Sequence, residues 1–511
     1  MTGESPDARR VDVRLVPAAV TAWAVTAAGI LWGALPSAGV VLIAGASAAS
    51  VGWWARRQGA DDVAVWPGVV AVGAVGVAFA VSVGLRVHDA ESHPITARLG
   101  STVTVVVTAS ETPRVTAGSR VVFRGTLDAL DGAPSSGRVV VFASVADYGE
   151  LTAGRPATFR ARVGSPTRPD LSVAVLTATG APQLGDAPGW QRAAAAVRAD
   201  FAEQARTVLP SDQAAMLPAL VLGDTTAVDA TTIREFRTAG LTHLTAVSGA
   251  NVTIVCGAVL LAAVLVGPRV AAGAAAVALV AFVAVVQPTA SVLRAAIMGG
   301  ITLLAVVSHR RRQAVPALAA TVLVVLIAAP QLAVDVGFVL SVAATAALVV
   351  IAPVWTQRLV DRGWPRPLAA AVAIALAAQL VTAPVVAGIS GALSLVAIAA
   401  NLLVAPVIPL ITILGTAAAA LTQLWPSLGR FLIRFTGPEL WWLLRAAQWA
   451  AAVPGGSVPV PSGSPGVALV AALTIAGVVL WRWRTGRIAV ALVLLLAVAW
   501  AAGRGGAVVP P

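Results

Sequence analysis

Long apolar segments follow one another along most of the chain. The six central segments are each near the roughly 20 residues that a helix needs to cross the hydrocarbon core of a bilayer. The predicted spans are 15–35, 38–54, 65–85, 241–266, 270–286, 291–308, 314–329, 332–353, 368–389, 467–481 and 488–501. The pattern therefore predicts a polytopic α-helical membrane protein.

The pattern changes between residues 91 and 187, where short alternating apolar runs are separated by Gly, Pro, Asp and Ser. The runs predict strands at 102–107, 120–127, 139–144, 158–163 and 172–177. In the fourth run, a period of two places Arg160 and Arg162 on the face opposite Phe159. Several short strands with frequent turn residues are typical of a small all-β barrel. We expect this barrel to be inserted between the membrane segments.

Composition agrees with a membrane location. Hydrophobic residues make up 58% of the 511 residues and charged residues 11%, whereas soluble domains are about one quarter charged. The formal net charge is +12, and every basic residue is Arg. In a membrane protein a basic balance first indicates cytoplasmic loops, which are enriched in Lys and Arg.

The basic residues predict an orientation. If the N-terminus is cytoplasmic, Arg57, Arg269 and the clusters at 309–312 and 358–366 all fall on the cytoplasmic side. The β domain and the C-terminus then lie outside the cytoplasm.

Three further segments have distinct patterns. Residues 189–204 predict an amphipathic helix at the membrane interface. Residues 393–424 are too long for one crossing and contain Asn401, Pro406 and Pro409, which favours a broken or re-entrant element. Residues 425–453 predict an external amphipathic segment rich in Trp. The predicted domains are 1–90, 91–187, 188–240, 241–424 and 425–511.

Polar residues gather where the apolar region begins. His243, Ser248, Gly249 and Asn251 lie at the start of a predicted span, and polar groups in hydrocarbon need a cavity or a partner. Ser248 and Asn251 are three residues apart and share a face of a continuous helix. They either line a functional cavity or join one helix to the next, as Ser and Asn often do in membrane bundles.

Arg294 is the most informative charge within the predicted spans. Its partner is expected to be Asp335, near the start of another span. The pair either braces the helix bundle, or Arg294 contacts phosphate groups while Asp335 tunes it. Gln379 and Asn401 add uncharged polar groups in other spans.

No metal centre or cofactor is predicted. Cys256 is the only cysteine, and the four histidines lack the spacing of a metal site.

Residues 236–252 resemble the signature of the ComEC family, whose members form the inner channel of bacterial DNA uptake. The signature is an aromatic residue, Ala-Gly-Leu, a polar residue, His-Leu, and then Ala-Val-Ser-Gly. Other blocks of the family follow the same order at 222–224, 291–298, 335–341 and, more loosely, 401–406. The resemblance covers about residues 90 to 420, and it implies that the inserted β domain is an OB-like barrel.

The resemblance implies a channel in the bacterial cell membrane that imports single-stranded DNA during natural transformation. The residues expected to line it or contact DNA are His243, Ser248, Gly249, Asn251, Arg294, Asp335, Gln379 and Asn401. In the barrel, DNA contacts are expected from Arg120, Arg124, Arg160 and Arg162, with Tyr148 or Phe142 as a stacking platform. The alternatives are a transporter of a small or lipid-linked anion and a scaffold for envelope assembly.

The chain departs from many ComEC proteins in one respect. They continue into a metallo-β-lactamase-like domain, whereas this sequence ends at Pro511 and contains no HxHxDH motif. We therefore expect no catalysis by this chain. Besides single-stranded DNA and the lipid bilayer, the expected partners are a DNA receptor, a separate nuclease, a cytoplasmic DNA-translocating ATPase and further copies of the chain.

Overall fold

The computed structural model describes residues 12–57, 62–116, 119–149, 151–245, 247–286, 290–307, 313–480 and 483. The helices are α1 (Val16–Trp32), α2 (Ala34–Arg57), α3 (Asp62–Glu91), α4 (Val145–Tyr148), α5 (Gly189–Val208), α6 (Ser211–Leu222), α7 (Ala230–Thr238), α8 (Gly249–Ala262), α9 (Pro268–Val286), α10 (Ala290–Val307), α11 (Ala314–Ala328), α12 (Val336–Ala346), α13 (Ala352–Val360), α14 (Arg366–Ser390), α15 (Ala397–Val404), α16 (Ile408–Leu421), α17 (Pro426–Phe435), α18 (Gly437–Ala452) and α19 (Ser464–Leu480). The strands are β1 (Thr102–Ala109), β2 (Arg114–Thr116), β3 (Arg120–Leu130), β4 (Ala133–Ser144), β5 (Pro156–Gly164), β6 (Ser172–Leu184), β7 (Ala392–Ser394) and β8 (Ser457–Pro459).

The chain divides into two compact units, and each is described by itself. The first comprises Met1–Arg192 and Gly300–Val339, and the second comprises Ala193–Gly299 and Leu340–Pro511.

In the first unit, α1 packs against α2, α3 and α11. Gly29 permits the close approach of α1 and α3, because a Cβ at this position would lie 2.5 Å from a methyl group of Val83. The indole nitrogen of Trp23 donates to the carbonyl of Ala333 at 2.8 Å. Close packing at a small residue and hydrogen bonds from side chains to carbonyls thus connect the helices of this layer, as is common in membrane bundles.

The first unit also contains a closed five-stranded barrel. Its strands are ordered β1–β5–β6–β4–β3, and β3 pairs again with β1. The β4–β6 pair is parallel and the other pairs are antiparallel. Alternate residues point inward, such as Val103, Val105 and Val107 of β1. All five predicted strands and the predicted barrel are confirmed.

The prediction that Tyr148 offers a stacking platform is wrong. Tyr148 is 1% exposed, and its ring packs against Phe123 and, edge-on, against Phe159. This burial raises the pKa of the Tyr148 hydroxyl above its ordinary value. A ring enclosed in the barrel core cannot stack on a nucleic-acid base. Phe142, the alternative, is half-buried on β4.

In the second unit, α6 packs against α16 and α18, and α8 packs against α9 and α16. The predicted amphipathic helix is α5. Its Arg198 donates to the carbonyl of Val285 at 2.8 Å, near the C-terminal end of α9. This bond satisfies a carbonyl that the end of a helix leaves without a partner.

Within the described residues, four helical stretches are long and apolar enough to cross a membrane. They are Pro67–Arg98, Arg269–Val286, Val336–Val360 and Arg366–Ser390. Six other apolar helices are shorter, at 10–17 residues. The predicted span at 332–353 extends further than expected, since the helix runs through a π-helical segment to Val360. Two predictions fall outside the described residues, namely the last span, 488–501, and the basic cluster at 309–312.

The predicted break near residue 400 is confirmed. The helices α15 and α16 are bent by 53°, and they count as a fifth crossing only if the pair is one span. Pro406 lies in the linker and Pro409 in the first turn of α16. Because proline has no backbone N–H, a continuous helix through both positions would lose hydrogen bonds.

Candidate functional site

The first half of the signature packs closely on the start of the bent pair α15–α16. Gly240 has a φ of +72°, and a Cβ there would lie 3.2 Å from the Cα of Ala397 in α15. The hydroxyl of Ser394 donates to the carbonyl of Thr238 at 2.7 Å. Glycine is needed at this position for both its backbone conformation and the close approach.

The second half of the signature caps two helices. Prediction placed the start of this helix at Leu241, but α8 begins at Gly249 because Ser248 is its N-cap. The Ser248 hydroxyl accepts from the backbone N–H of Asn251 at 3.4 Å and donates to its side-chain oxygen at 3.1 Å. The Asn251 amide nitrogen donates to the carbonyl of Leu220 at 2.9 Å.

The bond to Leu220 connects the signature with the end of α6, where the Leu-Gly-Asp block lies. Gly223, with a φ of +76°, ends α6 and leaves the last carbonyls of that helix without intrahelical partners. Asn251 is 5% exposed and satisfies one of them. Asn251 therefore joins α8 to α6, which is the structural role left open by the sequence.

A small cavity separates this polar pair from the bent helices. It is lined by Leu220, Leu244, Ser248, Asn251, Ile408, Ile411 and Thr412. The cavity has room for about one water molecule. A DNA strand is far wider, so passage beside the signature requires α16 to separate from α6 and α8.

Arg294 lies buried on α10, with 6% of its surface exposed. Its Nε donates to the hydroxyl of Ser341 at 2.7 Å and its Nη1 contacts the sulfur of Met298 at 3.3 Å. No carboxylate among the described residues of its unit forms an ion pair with it. A buried cation without a counter-ion is costly in a protein interior, and more so in a membrane.

Gly249 lies directly beside Arg294. A Cβ at Gly249 would lie 2.5 Å from Nη2 of Arg294 and 3.3 Å from the Cβ of Ala295. Any other residue would therefore displace the guanidinium. The structure thus brings Ser248, Gly249, Asn251 and Arg294 together at the N-terminus of α8.

The remaining predicted residues have separate surroundings. His243 is exposed in the 3-10 turn Thr242–Leu244. Asn401 donates to the carbonyl of Ala397 in its own helix at 2.8 Å, and Gln379 is half-buried on α14. In the first unit, Asp335 accepts from the backbone N–H of Phe338 at 2.9 Å and so caps α12.

Sequence reasoning missed the serines around Arg294. Ser341 accepts from the guanidinium, and the hydroxyls of Ser291 and Ser341 are 3.3 Å apart. Both serines lie in the blocks quoted for the family resemblance. The spacing of three between Ser291 and Arg294 on one helix was the available signal.

The four barrel arginines are all exposed, but they do not form one cluster. On β5, Arg160 lies in register between Thr104 and Thr179, and Arg162 lies between Thr102 and Thr177. We call the outer surface made by these six residues the Arg–Thr face. Arg120 and Arg124 lie on β3, where they pair with β4.

A protein-family model described as "Competence protein" matches residues 220–485, just over half of the chain. The match includes Asn251, Arg294 and the bent pair α15–α16. No curated protein and no solved structure matches the chain.

Proposed function

The chain belongs to the Competence protein family, and on this basis we propose that it is a multi-pass membrane channel that imports single-stranded DNA during natural transformation. Family membership supports a role in DNA uptake, and the long apolar helices support a location in the membrane. In this proposal the N-terminus is cytoplasmic, and the barrel and the C-terminus lie outside the cytoplasm.

The observation that carries the proposal is the bent pair α15–α16 beside the polar signature. Irregular backbone at membrane depth is tolerated only where it is buried in protein or lines a water-filled cavity. Transporters place their binding sites at such broken helices. Here Thr412 of α16 lines a small cavity together with Ser248 and Asn251, and in this proposal the passage opens at that cavity.

Charge supports an anionic substrate. Arg294 is buried without a carboxylate partner in its unit, and a negatively charged group that passes nearby would supply one. A conduit also needs its binding groups to be few and weak enough to release the substrate. A single guanidinium meets that requirement better than a dense basic cluster.

The OB-like barrel supports a macromolecular substrate. Its Arg–Thr face offers guanidinium and hydroxyl donors on three neighbouring strands, and such groups contact the phosphates of nucleic acids. In this proposal the barrel holds the strand before it enters the membrane. In this proposal a separate nuclease degrades the strand that is not imported. A cytoplasmic ATPase pulls the imported strand inward.

The alternative is transport of a small or lipid-linked anion. The size of the cavity beside the signature favours it, since one phosphate group needs a smaller opening than a strand. An envelope scaffold has no use for the buried Arg294. Uptake of labelled phosphate and uptake of labelled DNA, measured in the same strains, separate the two transport functions.

A reversible cross-link between α6 and α16 tests the proposed opening. Gly415 of α16 lies against Val221 of α6, close enough for a disulfide between cysteines at these positions. In a Cys256→Ser background, Val221→Cys with Gly415→Cys is expected to abolish import of labelled DNA under oxidising conditions. Reductant should restore it. Each single-cysteine variant is the matched control, and full import by cross-linked protein contradicts the proposal.

A further inference from the structure

We propose that the N-terminus of α8 and the guanidinium of Arg294 form a binding site for one phosphate group, with the serine hydroxyls of α10 and α12 around it. We call it the α8–Arg294 site and define it by Gly249, Ala250, Ser291, Arg294 and Ser341. The assignment of this phosphate to a DNA strand rests on the function proposed above. The binding of a phosphate at this site is independent of that function.

The first observation is the helix N-terminus. The 14-residue helix α8 begins at Gly249, and the first N–H groups of a helix have no intrahelical partner. Ser248 occupies the N–H of Asn251. The N–H groups of the preceding residues, Gly249 and Ala250, point away from the helix at its positive end, where anions bind.

The second observation is independent of the helix. Arg294 is more than nine-tenths buried, and its Nη2 lies so close to Gly249 that a Cβ at this glycine would be only 2.5 Å away from it. Bonds of Nε to Ser341 and of Nη1 to Met298 fix the side chain, whereas Nη2 makes no hydrogen bond with a described residue. The guanidinium is therefore oriented with a donor toward the start of α8.

These two positive groups repel each other unless an anion lies beside both of them. The described residues of this unit supply no carboxylate to either group. A buried positive charge is less costly when an anionic partner balances it, and an anionic ligand is such a partner. No described carboxylate of this unit balances the two groups, and an anionic ligand from outside the chain would supply that charge.

The donors favour a phosphate over other anions. A guanidinium edge, backbone N–H groups and hydroxyls together match the several oxygens of a phosphate. The hydroxyls of Ser291 and Ser341 are 3.3 Å apart, and Ser341 already accepts from Nε. When Ser291 donates to Ser341, the proton of the Ser341 hydroxyl is available to a second acceptor. Carboxylate, with two oxygens, would leave donors without a partner.

The test is equilibrium binding of radiolabelled inorganic phosphate to the purified full-length protein in a phosphate-free sugar detergent. Gly249→Ala is expected to weaken binding at least tenfold, because the added methyl group displaces Nη2. Gly257→Ala in the same helix is the matched control, since a Cβ there meets nothing within 4 Å. Arg294→Gln removes the charge and should have the same effect as Gly249→Ala. Equal binding by all four proteins overturns the site.

Competition identifies the source of the phosphate. A thymidine dinucleotide with one internal phosphodiester is expected to displace the label, and a short-chain phosphatidylglycerol is not. Displacement by the lipid alone overturns the assignment to a nucleic acid. If Arg294→Gln does not fold, Gly249→Ala and Ser341→Ala keep the test decisive, because both retain the guanidinium.

The site and the import function fail in different ways. If phosphate does not bind, but the α6–α16 cross-link blocks DNA import, then the site is wrong and the function stands. If phosphate binds and Gly249→Ala weakens it, but the cross-linked protein still imports DNA, then the site stands without the proposed route.

Discussion

At the scale of single residues, polar positions that look alike in sequence have different surroundings in the structure. Asn251 is fully engaged by Ser248 and Leu220, so its side chain holds helices together. Arg294, by contrast, is buried with only neutral partners in its unit. Gly249 lies beside Arg294, and its missing side chain lets the guanidinium approach α8.

Replacing Asn251 by Ala should destabilise the protein. The carbonyl of Leu220 would lose its donor, and an unsatisfied buried polar group costs about 1–3 kcal/mol. Thermal unfolding of the purified protein should show a lower melting temperature. Asn401→Ala is the control, because that amide bonds only to its own helix and is less buried. Unchanged stability together with lost DNA import would contradict the structural role and favour a channel-lining one.

At the scale of elements, apolar periodicity predicts that a helix or strand is present better than it predicts where that element begins and ends. The five barrel strands follow from alternation, but β2 is three exposed residues and has no pattern to detect. The start of α8 was predicted too early, at Leu241, because nothing in the sequence distinguishes the 3-10 turn Thr242–Leu244 from the first turn of an α-helix. The bend between α15 and α16 was predictable, since Pro406 and Pro409 remove donors from a helix.

Restoring those donors should straighten the bent pair. In a Pro406→Ala, Pro409→Ala variant, a continuous helix through 404–408 becomes possible, and α15 and α16 should align. Spin labels at the exposed Leu403 and Leu410, one on each helix, should report a changed and narrower distance distribution. DNA import should fall in the same variant.

Pro384→Ala is the matched control, because Pro384 lies inside α14 and not at a break. It should leave both the distance and DNA import unchanged. A straightened pair with normal import would show that the bend is not needed for passage.

At the scale of the whole molecule, the chain pairs a closed barrel with long apolar helices. The sequence predicted both parts, because alternation and long apolar runs are strong signals. It could not predict which of the central helices group together: residues 300–339 join the N-terminal unit, which depends on packing and has no periodic signature. The prediction that Tyr148 is an exposed stacking platform was wrong for a similar reason. One aromatic residue outside a strand gives no indication in the sequence of whether it is buried.

The barrel should contact DNA through the Arg–Thr face. Replacing Arg160 and Arg162 by Gln is expected to weaken binding of a labelled oligothymidylate to the full-length protein, measured by fluorescence anisotropy at several salt concentrations. Two lost phosphate contacts on a single strand should reduce the slope of log affinity against log salt by about 1.4. Because phosphate contacts carry no base information, an oligoadenylate should lose affinity to a similar extent.

The matched control for this face is Arg120→Gln with Arg124→Gln. It removes the same charge from exposed positions of the same barrel, but from β3. If the attraction is a general electrostatic one, both double variants should lose DNA affinity equally. If DNA binds to the Arg–Thr face, the β5 variant should lose more affinity, and only in that variant should the dependence of affinity on salt change. If instead the β3 variant loses the affinity, the strand binds on the side of the barrel where β3 pairs with β4. The barrel would then present its DNA to the membrane from a different face than the one proposed here.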